Sequence, residues 1–225
     1  MRDKMVPITA GDFERADGLG DWRVLSDGAY VAYRTTTLAE GVRLVAAIGS
    51  VPGIEAHPPD IDVRADGVTV RLLSRGDAYY GMSEADVEIG REISAVAAEM
   101  GLEADQSALQ SFLVIPGAPR DTEILPFWRA VLGYVPRADS PEEDLVDPHD
   151  RGPGVWLESM EEARGDGGGA IHVAVWVPRE LAESRVAAAL AAGGRLVRDE
   201  FAPSWWTLAD AAGNEADIAT VANRD

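Results

Sequence analysis

The sequence predicts an α+β protein of two domains, residues 1–104 and 108–225. Three observations predict it. The second half of the chain repeats itself, short runs upstream alternate apolar and polar residues as half-buried strands do, and two longer stretches carry apolar residues at helical spacing. At 225 residues the chain can support two modest cores. Each domain is expected to be an antiparallel sheet with helices packed against it.

Thr9 and Asp12 frame a capping box that opens a short helix. Residues 22–25 and 30–33 read as a hairpin turning at Asp27 and Gly28. Leu38, Val42, Val45 and Ile48 recur at the spacing of an amphipathic helix. Ile61 and Val63 alternate with Asp60, Asp62 and Arg64, and Val68, Val70 and Leu72 alternate with Thr69 and Arg71. These are two strands joined at Asp66 and Gly67. Ser83 and Asp86 open a second long helix with Ile89, Ile93, Val96 and Met100 on one face. The order is α-β-β-α-β-β-α. The polar stretch from Gly101 to Ser107 marks the boundary.

The repeat aligns residues 109–116 with 171–178, each an apolar strand ending in Pro (Pro116, Pro178) with a ligand-type residue second in line, Gln110 and His172. A helical stretch follows each, from Leu125 to Gly133 and from Leu181 to Gly193. Each copy closes on a Gly and then a carboxylate, Gly154 with Glu158 and Gly213 with Asp217. Each copy reads as β-α-β-β-β, and Gly165 to Gly169 reads as a flexible linker between them. Gln110, Glu158, His172 and Asp217 therefore stand as a four-position candidate metal site. Glu215 competes with Asp217 as a ligand, and a register slip of one residue would turn Ser111 or Ser159 inward instead. His149 reads as a solvated turn residue. Trp205 and Trp206 read as core residues that could also wall a pocket.

The formal net charge of −19 disfavours nucleic acid, whose phosphates call for Lys and Arg, and anionic membrane surfaces. Lys4 is the only lysine, which argues against a Schiff base. The chain has no cysteine, so thiolate nucleophiles, disulfides and Cys-ligated zinc are excluded. No apolar run approaches the ~20 residues that span a bilayer, and no signal peptide is read at the N-terminus. The expected location is cytoplasmic.

Residues 1–104 resemble the pterin-4a-carbinolamine dehydratase family in residues 9–13, Asp21-Trp22, the helix from Leu38 to Ile48, residues 56–61 (Ala56-His57-Pro58-Pro59-Asp60-Ile61) and residues 81–86. The resemblance implies dehydration of a 4a-hydroxytetrahydropterin without a metal, and assembly into homo-oligomers. It carries over His57 and Asp86 as catalytic residues. The family's second histidine is replaced by Pro58, and its third falls near Arg75. A positioned acid–base group typically contributes 10²–10⁴-fold, so the two losses predict weak or absent hydro-lyase activity unless Arg75 substitutes. Asp86 also reads simply as the fourth member of the capping box with Ser83.

Residues 108–225 resemble the glyoxalase-like, vicinal-oxygen-chelate superfamily in residues 126–134, Asp147-Pro148, His172 and residues 210–217. The resemblance implies paired β-α-β-β-β modules around a divalent metal held by Gln110, Glu158, His172 and Asp217. One imidazole with oxygen donors suits Zn, Ni, Fe, Co or Mn, which would chelate the paired oxygens of a small metabolite. Three functions follow. One is a dehydratase-like protein fused to a glyoxalase-like domain. Another is a metal-dependent lyase, isomerase or dioxygenase-type enzyme acting through the second domain, and the last a non-catalytic small-molecule binding protein.

Overall fold

The computed structural model describes residues 5–119, 124–160, 170–209 and 215–222. These divide into two compact units, residues 5–109 and 110–222. The expected linker from Gly165 to Gly169 and the stretch from Asp210 to Asn214 lie outside the described residues. No helix among the described residues is long and apolar enough to cross a membrane.

In the first unit, β1 (Pro7–Ile8) and α1 (Ala10–Arg15) precede the hairpin of β2 (Arg23–Leu25) and β3 (Gly28–Arg34). Then come α2 (Leu38–Ile48), β4 (Asp60–Val63), β5 (Gly67–Leu72), β6 (Ser74–Gly76), β7 (Tyr79–Ser83) and α3 (Glu84–Glu99). A four-stranded antiparallel sheet runs β2-β3-β5-β4, and a small sheet runs β1-β7-β6. The small sheet is an addition to the seven elements expected from the pattern. Its strands are too short for their alternation to stand out.

Pairing on either side of β5 puts Val31 and Ile61 opposite Val70 on one face of the larger sheet, and Tyr30 and Asp60 opposite Arg71 on the other. The first face is the core. Val31, Val68, Val70, Leu72, Leu44 and Ile93 are all fully buried. Helix α2 starts where Thr37 accepts the Glu40 N–H, and Ser83 is the N-cap of α3. Both devices satisfy donors that the first turn of a helix leaves orphaned.

The second unit runs β8 (Ser111–Pro119), α4 (Leu125–Leu132), β9 (Val135–Pro136), β10 (Asp144–Val146), β11 (Gly154–Trp156) and β12 (Glu158–Met160). The second copy follows as β13 (Ala170–Trp176), α5 (Arg179–Ala191), β14 (Arg195–Arg198), β15 (Trp205–Ala209) and β16 (Glu215–Ala219). The copies are β-α-β-β-β, with the last strand of the first divided at Leu157. The nine strands among the described residues form one sheet, with β8 and β13 antiparallel at its centre. It is mixed, which corrects the expected antiparallel sheet: β16 lies parallel to β13, and β11 and β12 lie parallel to β8. The helical crossover in each copy reverses the chain once more, so its closing strand returns beside its opening strand in the same direction. Helix α5 covers one face, where Ala182, Val186 and Ala189 pack on Val175, Trp206, Leu208 and Ile218.

The tight turn into β3 depends on Gly28, whose φ is +142° and where a Cβ would sit 2.6 Å from the Leu72 carbonyl oxygen. Gly28→Ala should destabilise the protein by at least about 1–3 kcal/mol, read as a lowered urea midpoint at unchanged slope.

Candidate functional site

Two histidines meet carboxylates, one in each unit. In the first unit His57 follows a run of tight turns in which its N–H donates to the carbonyls of Gly53 and Ile54. Asp86 is on the first turn of α3 and is fully buried. The fold brings the two together, with His57 Nε2 2.7 Å from Asp86 Oδ1. Asp86 Oδ2 accepts the Ser83 N–H at 2.7 Å and the Ser74 hydroxyl at 2.8 Å, with the Ser83 hydroxyl 3.1 Å away. A carboxylate removed from water needs donors on both oxygens, and here it has them. The histidine is on Asp86 and not on either serine, so this is not a nucleophile–base–acid triad. With Nε2 engaged, Nδ1 is the nitrogen left to meet a ligand.

Arg75 does not join this pair in the same way. Alternation along β6 turns Ser74 onto Asp86, whereas the Arg75 guanidinium donates to Asp60 Oδ2 at 3.1 Å and lies 6.0 Å from the Tyr80 ring centroid. Ser74 is the residue that sequence reasoning missed. A lone serine at the start of a three-residue strand carries no pattern of its own.

In the second unit the strand register decides what surrounds His172. Gly117 stands beside Glu158 and Ala174 beside Asp217. Ile115, two residues before Gly117, is therefore the counterpart of His172, and the two are direct cross-strand partners. Paired residues share a face, so His172, Glu158, Asp217 and Thr207 all lie on the face opposite α5. His172 Nε2 is 3.5 Å from Asp217 Oδ2, and Nδ1 is 3.9 Å from Glu158 Oε2. The buried Thr207 hydroxyl donates to Asp217 Oδ1 at 2.6 Å. Thr207 was also missed, because its partner is ten residues away on the next strand.

Gln110 is not brought to this group. It precedes β8, five positions from Ile115 and on the order of 16 Å along an extended chain. Its Oε1 accepts from Arg185 on α5 at 2.8 Å. The reason is register: the repeat aligned Gln110 with His172, but the strands match Ile115 with it, and an offset of five residues reverses the face. Of the two tryptophans, Trp206 packs under α5, while Trp205 stacks on Phe201 with centroids 4.3 Å apart. His149 is exposed, with its N–H donating to Asp147.

These residues do not fit the expected four-ligand metal centre. Glu158 and Asp217 approach different nitrogens of the His172 ring, so an ion on either nitrogen leaves one carboxylate behind. The opening strand of the first copy turns Leu113, Ile115 and Gly117 to this face, and none is a ligand. Among the described residues, no group of three His, Cys, Asp or Glu side chains is arranged to hold a metal ion.

With this geometry in place, the comparisons identify the class of the second unit. Residues 114–219 match the glyoxalase-like domain family, so this unit is a glyoxalase-like domain. A glyoxalase/bleomycin resistance protein/dioxygenase superfamily member from Vibrio splendidus 12B01 is 18% identical, with 49% of this chain and 97% of that one covered and a TM-score of 0.31. No curated protein matches the chain. The family match begins at Val114 and leaves the first unit outside it, so no comparison shows the expected dehydratase resemblance.

The pKa of His172 is raised. The cause is first the Asp217 carboxylate, at the outer edge of hydrogen-bonding distance, and then the charges of Glu158 and Glu215, with burial opposing them. A folded pKa above the unfolded value of about 6.5 gives stability that is fully present below that value and is lost as pH rises through the folded pKa. NMR titration of the His172 ring should therefore give a midpoint above about 6.5. Asp217→Asn should lower that midpoint and shrink the alkaline loss of stability.

Proposed function

We propose that the protein acts on a small organic molecule through its glyoxalase-like domain, with the ligand meeting His172, Asp217 and Glu158 on the face opposite α5. The observation that carries this reading is that Glu158 and Asp217 flank the His172 ring on one face, inside the stretch that matches the family. An imidazole beside carboxylates can accept and return a proton near neutral pH, which suits lyase or isomerase chemistry. The test is incubation of the full chain with a protein-free metabolite extract, followed by mass spectrometry of what is retained or converted. Wild type should retain or consume a small set of compounds, and His172→Ala should lose them. An identical profile for both proteins rejects the reading.

A second reading, dehydratase-like proton transfer in the first unit, is favoured by one specific observation, the 2.7 Å contact between His57 and the fully buried Asp86. The pair satisfies the first requirement of such a site, an oriented imidazole with one nitrogen free for substrate. Pro58 and Arg75 leave it without the other two histidines of the family pattern. Stopped-flow measurement on a 4a-carbinolamine should show slow turnover that falls a further 10²–10⁴-fold in His57→Ala. Turnover indifferent to His57 would remove this reading.

A further inference from the structure

We infer that the glyoxalase-like domain moves protons without a resident metal, using His172 oriented by a hydroxyl–carboxylate pair, Thr207 and Asp217. This rests on the reading that the face opposite α5 is where a small molecule binds. It goes beyond that reading by assigning the chemistry and two positioning residues.

The argument starts from the disagreement between the residues present and a metal centre. The centre that the resemblance implies takes a donor from each opening strand, and the first copy supplies Ile115 where the second has His172. The only amide expected to help, Gln110, is held by Arg185. Glu158 and Asp217 bracket the imidazole at its two nitrogens and do not converge on one point.

The same geometry has the form of an oriented general base. The Thr207 hydroxyl is buried and fixes one oxygen of Asp217, leaving the other facing Nε2. Asp217, the nearer of the two carboxylates and at 3.5 Å the one just within reach of a hydrogen bond, favours the neutral ring's proton at Nε2 and leaves Nδ1 as the basic nitrogen. The 3.9 Å gap between Nδ1 and Glu158 is wider than a hydrogen bond, so a ligand atom can approach Nδ1 from beside that carboxylate. In the step itself, Nδ1 takes a proton from the ligand, the bonding pair stays on the ligand, and the imidazolium returns the proton to another atom of the same molecule. Atoms and charge balance, and no oxidant, reductant or co-reactant is needed. With no ion to hold a developing oxyanion, the proton must be acidic in its own right. The ligand class is accordingly one with an enolic, imidic or doubly carbonyl-flanked C–H, O–H or N–H.

Two measurements test this. Untagged full-length protein is stripped with chelator, dialysed and titrated in turn with Zn²⁺, Ni²⁺, Fe²⁺, Co²⁺ and Mn²⁺, beside His172→Ala. The expected result is no stoichiometric uptake that depends on His172, and one-to-one uptake lost in His172→Ala overturns the inference. Long-range ¹⁵N–¹H correlation of the His172 ring should show the neutral form protonated on Nε2. Thr207→Val and Asp217→Asn should shift that balance toward Nδ1–H, and Thr207→Ser should restore the wild-type spectrum. Should Asp217→Asn not fold, the contrast between Thr207→Val and Thr207→Ser decides alone. A tautomer unmoved by Thr207→Val overturns the positioning role. A metal-free protein with this tautomer that binds no metabolite supports the orientation and rejects only the functional reading beneath it.

Discussion

The antiparallel pairing of β8 with β13 is the constraint on which the second unit depends. A strand's side chains alternate with a period of two, so one pairing register commits every residue of both strands to a face. Here it sets Ile115 against His172. The parallel neighbours β12 and β16 then deliver Glu158 and Asp217 to the same face, and β15 delivers Thr207. Shifting this one register by a residue would turn His172 onto the face that α5 covers. It is also why an apolar β-branched side chain stands where symmetry between the copies would call for a second ligand.

In the first unit the corresponding constraint is the burial of Asp86. A carboxylate with no exposure must gather donors from its surroundings, and it gathers them from three directions: the start of its own helix, the β6 strand through Ser74, and the loop carrying His57. The helix cap and the candidate site are thus one structure. The capping reading of Asp86 and the acid–base reading describe the two oxygens of a single carboxylate. The bond to the Ser83 N–H holds it in place, and the bond to Nε2 orients the imidazole.

The two histidines differ in how tightly they are held. His57 has one carboxylate at 2.7 Å, itself anchored by neutral donors. His172 sits among several carboxylates at longer range, and their combined field raises its pKa against the effect of burial. The first arrangement fixes a ring. The second stabilises its protonated form and gives the surrounding face a negative potential when the ring is neutral, in keeping with a chain whose formal net charge is −19.

Much of this was legible in the sequence. The helix from Leu38 to Ile48, the hairpins at Asp27-Gly28 and Asp66-Gly67 and the β-α-β-β-β copies follow from local spacing and turn chemistry, which neighbouring residues encode among themselves. The approach of His57 to Asp86 could be expected only through a resemblance, since 29 residues separate them. Tertiary structure decided which strands adjoin and in what register. That excluded Gln110 from the group around His172, brought in Thr207, made the second sheet mixed, and put Ser74 where Arg75 was expected. These outcomes share a physical reason. Local sequence records the alternation along a strand, but which face is which depends on hydrogen-bond pairing with a strand far along the chain. An odd offset in that pairing reverses every side chain while leaving the local pattern unchanged.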